Sequence, residues 1–281
     1  MDFSNLLVGS DPEAMIIDTT TGKMISAVGL IPGTKENPES IGNGCYIQAD
    51  NVNVEWCVPP TQDPEDFIKN IRYCVQYTNS ILPQGHRVLL RSSHVFDSDQ
   101  LTTPEALEFG CDADFCVYND DLYKPNEKPA AADPNLRSCG GHIHLGHPYL
   151  SNPQKGAGFI RNIIEPTLGV ALVVLDMDTR RKELYGKAGA VRYKPYGIEY
   201  RTPSNLWLSS EELVRLTFKI IYDFAPTFSS ANSPFKILYR DLGPEKATSQ
   251  YIRSIINENK LEQAKEIMTV LGIEVPVLTT K

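Results

Sequence analysis

Hydrophobic and polar residues along this chain fall into runs of two periods, and those runs predict an order of elements. Residues 6–18 alternate and then turn apolar before the turn-like Thr19-Thr20-Thr21-Gly22, which predicts a strand entering a hairpin with residues 23–28 as its partner. Residues 29–44 carry the Gly and Pro of a loop, and residues 45–58 read as one further strand ending at Pro59-Pro60. Phe67, Ile71, Cys74, Val75, Thr78 and Leu82 then recur at helical spacing, with Asp63 as the cap. The opening therefore reads strand, strand, strand, helix.

The same reading predicts a strand over residues 86–96, a short helix over 104–108 and a mobile, proline-rich loop over 116–134. Residues 137–145 are strand-like and 153–178 form a long apolar helix. A Gly- and Tyr-rich stretch, 180–203, closes in a strand, and 209–224 is an amphipathic helix. Residues 244–271 show helical periodicity with a break near Asn257 to Lys260. Strand runs with hairpin-like neighbours, separated by helices, favour an α+β fold over a doubly wound parallel sheet. With no repeat and no linker, residues 1–281 are expected to form one domain with a helical C-terminal segment from about residue 244.

Composition narrows the partners. A net charge of -8 argues against nucleic acid or an anionic membrane as the main partner, while leaving room for a local basic pocket. No window is read as a membrane span, and the first residues lack the pattern of a signal peptide, so a cytoplasmic location is expected. Cys45, Cys57, Cys74, Cys111, Cys116 and Cys139 are scattered without a CxxC pair and are read as reduced thiols.

The chemistry lies in doublets spaced two apart on strand-like runs: Asp11 and Glu13, Asn53 and Glu55, His142 and His144, Glu199 and Arg201. Strand side chains alternate, so each doublet points to one side while its neighbours, such as Val54 and Trp56 or Ile143 and Leu145, point to the other. Any one doublet is also what the solvated face of a half-exposed sheet shows. Four on one sheet would crowd acids, imidazoles and an arginine on one surface, where a cation or bound anion must compensate them. Carboxylates with an occasional His suit magnesium or manganese, and nearby Arg and Lys suit phosphate. Two glycines, Gly140 and Gly141, precede the histidine strand and permit close approach. A second Gly-rich stretch, residues 180–197, is densely basic in an acidic protein.

GSDPEAM at residues 9–15, QADNVNVEW at 48–56, FGCDADF at 109–115, GGHIHLG at 140–146 and YGKAGAVRYKPYGIEYRTPSN at 185–205 occur in an order that resembles the phage-type COOH-NH2 ligases. These form a type 2 amidoligase family in the glutamine synthetase and glutamate-cysteine ligase superfamily. The resemblance implies a glutamine-synthetase-like catalytic domain, a curved and mainly antiparallel sheet with helices on its outer face. It also implies a site where two or three divalent metals hold ATP and an acyl phosphate is made from a substrate carboxylate. It assigns metal to Asp11, Glu13, Asp50, Glu55, His142 and Glu199, and nucleotide to His144. Arg201, Arg192 and Lys187 become the phosphate or acyl-phosphate contacts. Asp-Pro-Glu stands where related synthetases often carry two glutamates, and parity changes between Asp50 and Glu55, which predicts a bulge or a single inward acid.

Other residues keep two readings. Asp112 and Asp114 suit an ammonium or a plain surface turn. Cys139, His142 and His144 with Cys111 or Cys116 would make a zinc site, but their spacing is not a usual zinc pattern. Tyr185, Tyr193, Tyr196 and Tyr200 frame a ligand or pack. The expected function is an ATP- and magnesium-dependent ligase joining a small-molecule or peptide carboxylate to an amine, with a homo-oligomer as an option. A phosphotransferase of the same fold, or a nucleotide- and metal-binding protein without turnover, is the alternative.

Overall fold

The computed structural model describes residues 1–107, 114–127 and 133–276. Its strands are β1 (Leu7–Ser10), β2 (Glu13–Asp18), β3 (Met24–Ile25), β4 (Glu39–Gly42), β5 (Cys45–Asp50), β6 (Asn53–Thr61), β7 (His86–Leu89), β8 (Ser93–Val95), β9 (Phe115–Cys116), β10 (Leu136–Ser138), β11 (Ile143–Gly146), β12 (Ala190–Lys194) and β13 (Gly197–Tyr200). Its helices are α1 (Pro64–Ile81), α2 (Pro104–Leu107), α3 (Pro153–Leu175), α4 (Arg181–Leu184), α5 (Glu211–Phe224), α6 (Pro234–Leu242), α7 (Ser249–Glu258) and α8 (Leu261–Leu271). The main sheet runs β3-β2-β6-β1-β11-β13-β12-β9, with β5 on β6, β4 on β5 and β7 on β2. Strands β8 and β10 pair separately. Each pairing among the described residues is antiparallel, so the fold is α+β with a large antiparallel sheet.

Long runs read as single strands are cut where the backbone changes partner. The run 6–18 breaks at Asp11-Pro12, because Pro12 has no N–H for a ladder. Its carbonyl instead accepts from Trp56 N, and β6 pairs with β1 on one side of the break and β2 on the other. Residues 45–58 are not one strand but the β5–β6 hairpin, turned at Asn51, whose φ of 57° suits a short polar side chain. The expected loop 29–44 ends in β4, which joins β5 through Asn43 and Gly44, both at positive φ. Residues 86–96 split between β7, on the main sheet, and β8, off it. Gly140-Gly141 likewise divides β10 from β11. The expected loop 116–134 begins as the end of edge strand β9, and α6 falls between the stretches whose periodicity predicts a helix.

Helical expectations hold more closely. Asp63 caps α1 by accepting from Glu65 N at 2.8 Å, with Pro64 in the first turn. The C-terminal break falls at Asn259, whose φ is 49°. Helix α3 is long and apolar enough to cross a membrane, but 72% of its most apolar window is buried, as in a core helix. Its middle, Ile160–Gly169, widens into π-type turns around Pro166.

One face of the sheet packs on helices. Val54, Trp56, Val58, Ile143, Leu145, Ile198 and Tyr200 are buried there with the apolar residues of α1, α3 and α5. Each such large side chain contributes roughly 1.5–3 kcal/mol when removed from water. Trp56 also donates its indole N–H to Thr78 of α1 at 3.0 Å, and Phe67 stacks on Trp207 at 5.6 Å. Helix α3 approaches β13 so closely that a Cβ on Gly156 would lie 3.1 Å from Ile198 Cδ1. Burial of this face leaves the opposite parity of β2, β5, β6, β11, β12 and β13 turned away from the helices.

Candidate active site

Register decides which side chains meet on that second face. Cross-strand partners in an antiparallel pair share a face, and the pairs Glu13↔Glu55, Gln48↔Glu55, Asp50↔Asn53, His144↔Glu199 and Arg192↔Glu199 chain the doublets together. The parity change between Asp50 and Glu55 is therefore a hairpin turn, not a bulge, and both acids face the same way.

Asp11 is the centre. Its Oδ1 lies 3.1 Å from His142 Nδ1 and 3.2 Å from His144 Nε2. Burial alone would raise the Asp11 carboxyl, but the neighbouring His144 and His142 rings hold it well below the usual carboxylate range. His142 is only 6% exposed. Burial, then the Arg201 charge, pushes its ring down to about 4, so it is neutral at neutral pH. His144 is less buried and is raised: desolvation opposes its charge, yet Asp11 outweighs that. Its other nitrogen, Nδ1, lies 3.1 Å from the Tyr196 hydroxyl.

Glu199 has no exposed surface. Arg201 bonds its Oε1, Lys194 Nζ lies 3.1 Å from Oε2, Arg192 Nη1 3.6 Å from Oε1, and His142 Nδ1 3.6 Å from Oε1. Burial and the Asp11 charge favour protonation of Glu199, and Arg201, with the His142 ring and Arg192, overcomes them, leaving its carboxyl below the ordinary value. Arg201 Nε in turn is 4.0 Å from Asp114 Oδ2.

The acids of β2, β5 and β6 lack comparable compensation. Glu13 accepts from Gly140 N at 2.8 Å and lies 3.4 Å from Asn53 Nδ2, yet burial and then the Asp50 charge push it up to about 8. Glu55 takes one bond from Gln48 Nε2 at 2.8 Å, and burial followed by Asp11, Asp50 and Glu13 raises it well above normal. Asp50 is raised by burial as well. Like charges desolvated together either take up protons or need a cation.

Local structure holds these groups in place. A Cβ on Gly140 would sit 2.3 Å from His142 Nε2, and one on Gly141 would sit 2.4 Å from the Ser204 carbonyl, so both glycines are required by close approach. Ser10 Oγ donates to the His142 carbonyl at 2.6 Å, Asn205 to the Glu13 carbonyl at 2.8 Å and Trp207 to the Gly141 carbonyl at 2.9 Å. Buried Arg181 spends its guanidinium on the carbonyls of Cys139, Thr202 and Arg201, which ties the entry of the histidine strand to the exit of β13.

Several predicted residues thus converge: Asp11, Glu13, Asp50, Glu55, His142, His144, Glu199, Arg192 and Arg201 share this face. Among the described residues Asp11, His144 and Glu199 are the group whose ligand atoms all lie within 4.8 Å of one another. His142, expected at metal, and His144, expected at nucleotide, both place a ring nitrogen against Asp11 Oδ1, and His142 is the deeper ring. Lys187 is exposed in the loop before β12 and lines a cavity with Asp114. Asp112, Cys111 and part of the FGCDADF motif lie outside the described residues. The zinc alternative does not assemble among the described residues: Cys139 packs with Met15 and Phe96, and Cys116 Sγ contacts the Ala188 carbonyl.

Sequence reasoning missed Lys194, Gln48, Arg181 and Glu165, and left Tyr196 undecided. Lys194 was legible as the same-parity neighbour of Arg192. Glu165 was marked by being a lone acid inside an apolar helix, which demands partners. It accepts from Tyr200 Oη at 2.6 Å, Gly189 N at 3.0 Å and Tyr118 Oη at 3.3 Å, behind the sheet. Arg181 carried no comparable signal in a stretch already dense with basic residues.

No curated protein matches the chain. Residues 131–230 match the family model described as Phage phiEco32-like COOH.NH2 ligase-type 2. That stretch holds β11, β12 and β13, hence His142, His144, Arg192, Glu199 and Arg201, and over it this protein is similar to a family named for joining carboxyl to amino groups.

Proposed function

We propose that this protein is an ATP-dependent carboxylate-amine ligase with a glutamine-synthetase-like catalytic domain. The observation that carries the reading is the convergence of Asp11, Glu13, Asp50, Glu55 and Glu199 with two imidazoles on one sheet face, bordered by Arg192, Lys194 and Arg201. The donor set fits a hard divalent cation: buried carboxylates whose mutual repulsion is unrelieved on the β2–β5–β6 side, and Asp11, His144 and Glu199 grouped on the other. Magnesium or manganese held by these acids and His144 would neutralise the phosphate charge of ATP as it is transferred.

The chain's own residues supply position and charge. Arg192, Lys194 and Arg201 flank Glu199 and meet phosphate oxygens, which favours the charge that spreads over the transferring group. His142 stays neutral and holds Asp11 in the orientation its carboxylate needs. Tyr196 fixes the ring of His144 from the far nitrogen. A substrate carboxylate oxygen attacks the γ-phosphorus and ADP leaves, giving an acyl phosphate. The amine nitrogen, after losing a proton, then attacks the acyl carbon. The bond from that carbon to the phosphate-bearing oxygen breaks, and phosphate departs with the original carboxylate oxygen while the second amine proton is released.

The test is ADP release screened against a panel of carboxylates and amines, followed by heavy-oxygen labelling of the active carboxylate. A ligase delivers labelled oxygen to free phosphate. Retention of all label in a phosphorylated product would mark a phosphotransferase, and no substrate-dependent ADP release with Mg·ATP bound would mark a binding protein. Glu13→Ala and Glu199→Ala should abolish turnover while circular dichroism stays native, and full activity in both would defeat the assignment.

A further inference from the structure

A cavity of about 580 Å³ lies beside the acidic face, and the function argued above leaves it unused. That volume is within the usual range for a small-molecule pocket and exceeds what ammonia or a bare alkylamine would fill. Asp114 lines it, with its Oδ2 4.0 Å from Arg201 Nε. Asn126 holds Asp114 in place by donating its side-chain amide to Oδ1 at 3.0 Å and its backbone N–H to the Asp114 carbonyl at 2.9 Å. Glu127 and Glu183 add carboxylates to the lining.

Two cations face the same space. Lys187 comes from the loop before β12 and Arg253 from α7, its guanidinium 4.6 Å from the centroid of the Tyr118 ring. Among the described residues neither Lys187 nor Arg253 is in an ion pair with the cavity's own acids. A pocket for phosphate has no use for three carboxylates, and a pocket for a plain amine has none for two exposed cations. Carboxylates and cations that line one cavity without pairing with one another suit a zwitterion, whose own charges meet both sets.

We propose that this cavity takes the amine substrate, and that the amine belongs to a free α-amino acid or to a short peptide with a free amino end and a carboxylate. The assignment rests on the ligase reading for the fate of the amine, but the binding itself does not. Asp114 receives the ammonium beside Arg201 and Glu199, where it is adjacent to the activated carboxylate. Arg253 and Lys187 receive the carboxylate, so the C-terminal helices, outside the sheet motifs, contribute to choice of substrate.

The experiment is isothermal titration of the full native protein with the twenty common amino acids, a set of dipeptides, the matching amines lacking a carboxylate, and N-acetyl derivatives lacking the ammonium. At least one amino acid or dipeptide should bind, with its decarboxylated and acetylated partners at least tenfold weaker. Whichever of the amino-acid and dipeptide arms binds more tightly identifies the source of the zwitterion. Arg253→Ala, a change at an exposed position, should weaken the zwitterion at least tenfold, leave the matching amine unchanged and leave Mg·ATP affinity unchanged. Binding by no member of the panel, or equal affinity of Arg253→Ala and native protein for the zwitterion, overturns the proposal. Zwitterion binding that depends on Arg253, without ADP release in its presence for any carboxylate, supports the pocket and counts against the ligase reading instead.

Discussion

Glu199 and Tyr200 are neighbours in β13, yet they enter two different electrostatic worlds. Glu199 points to the face where Asp11, Glu13, Asp50 and Glu55 crowd together, several of them raised by one another's charge. Tyr200 points to the helical side and donates to Glu165, an equally buried acid that is also bonded by Gly189 N and Tyr118 Oη. Burial raises Glu165 too, but its hydrogen-bond donors oppose the shift. The back of the sheet completes its buried acid with the protein's own donors, which is what a structural carboxylate requires. The front compensates Glu199 and Asp11 but leaves Glu13, Asp50 and Glu55 short of positive charge, which is what a site for an external cation requires.

The largest effect should come from removing the satisfied acid. Glu165→Leu strands the Tyr200 and Tyr118 hydroxyls and the Gly189 N–H, and should cost about 3–5 kcal/mol in urea unfolding. Glu55→Gln, in protein stripped of divalent ions, should be neutral or stabilising by up to about 1 kcal/mol, because it removes repulsion. Equal losses in the two variants would erase the distinction between the faces.

Divalent ions sharpen it next. Magnesium at a hundred times its dissociation constant should stabilise the native protein by about 2.7 kcal/mol, reversed by chelation. The gain should survive any Glu165 variant that folds and shrink in Glu13→Gln or Glu199→Gln. A midpoint indifferent to magnesium would remove the front face as a cation site.

pH gives a third handle. Glu13 sits at about 8 in the folded protein against 4.5 unfolded, so between those values the folded state keeps a proton that the unfolded state has released. Stability of metal-free protein should therefore fall as pH rises through that window, with Glu55, raised well above normal, extending it. Saturating magnesium should flatten the slope, since the cation replaces the protons. A slope identical with and without magnesium would mean that these acids do not bind it.

The smallest predicted change is at the rim. Tyr196→Phe removes the hydroxyl 3.1 Å from His144 Nδ1 and should weaken manganese binding, followed by electron paramagnetic resonance, about tenfold without altering thermal stability. No loss of affinity would leave Tyr196 as a packing residue.

Period-two alternation made the doublets visible, and all of them do share one face. The same alternation misled at the breaks, because a hairpin turn of two residues switches parity: Asp50 and Glu55 look mismatched along the chain but align once Asn51 and Val52 turn it. The break at Pro12 was legible in principle from the missing N–H. The transfer of residues 86–96 and 137–145 between sheets was not, since each half reads as a strand whichever neighbour it finds.

By itself, the sequence determined the α+β class, the cap at Asp63, the break at Asn259 and which residue types line the candidate site, because these depend on local periodicity, backbone preference and side-chain chemistry. Tertiary structure alone decided that Glu13 faces Glu55, that Asp11 lies between two histidines, that Glu165 is satisfied from behind and that Arg253 shares a cavity with Asp114. Those outcomes depend on strand register and helix packing across long separations, where a shift of one residue would carry every acid to the other side of the sheet.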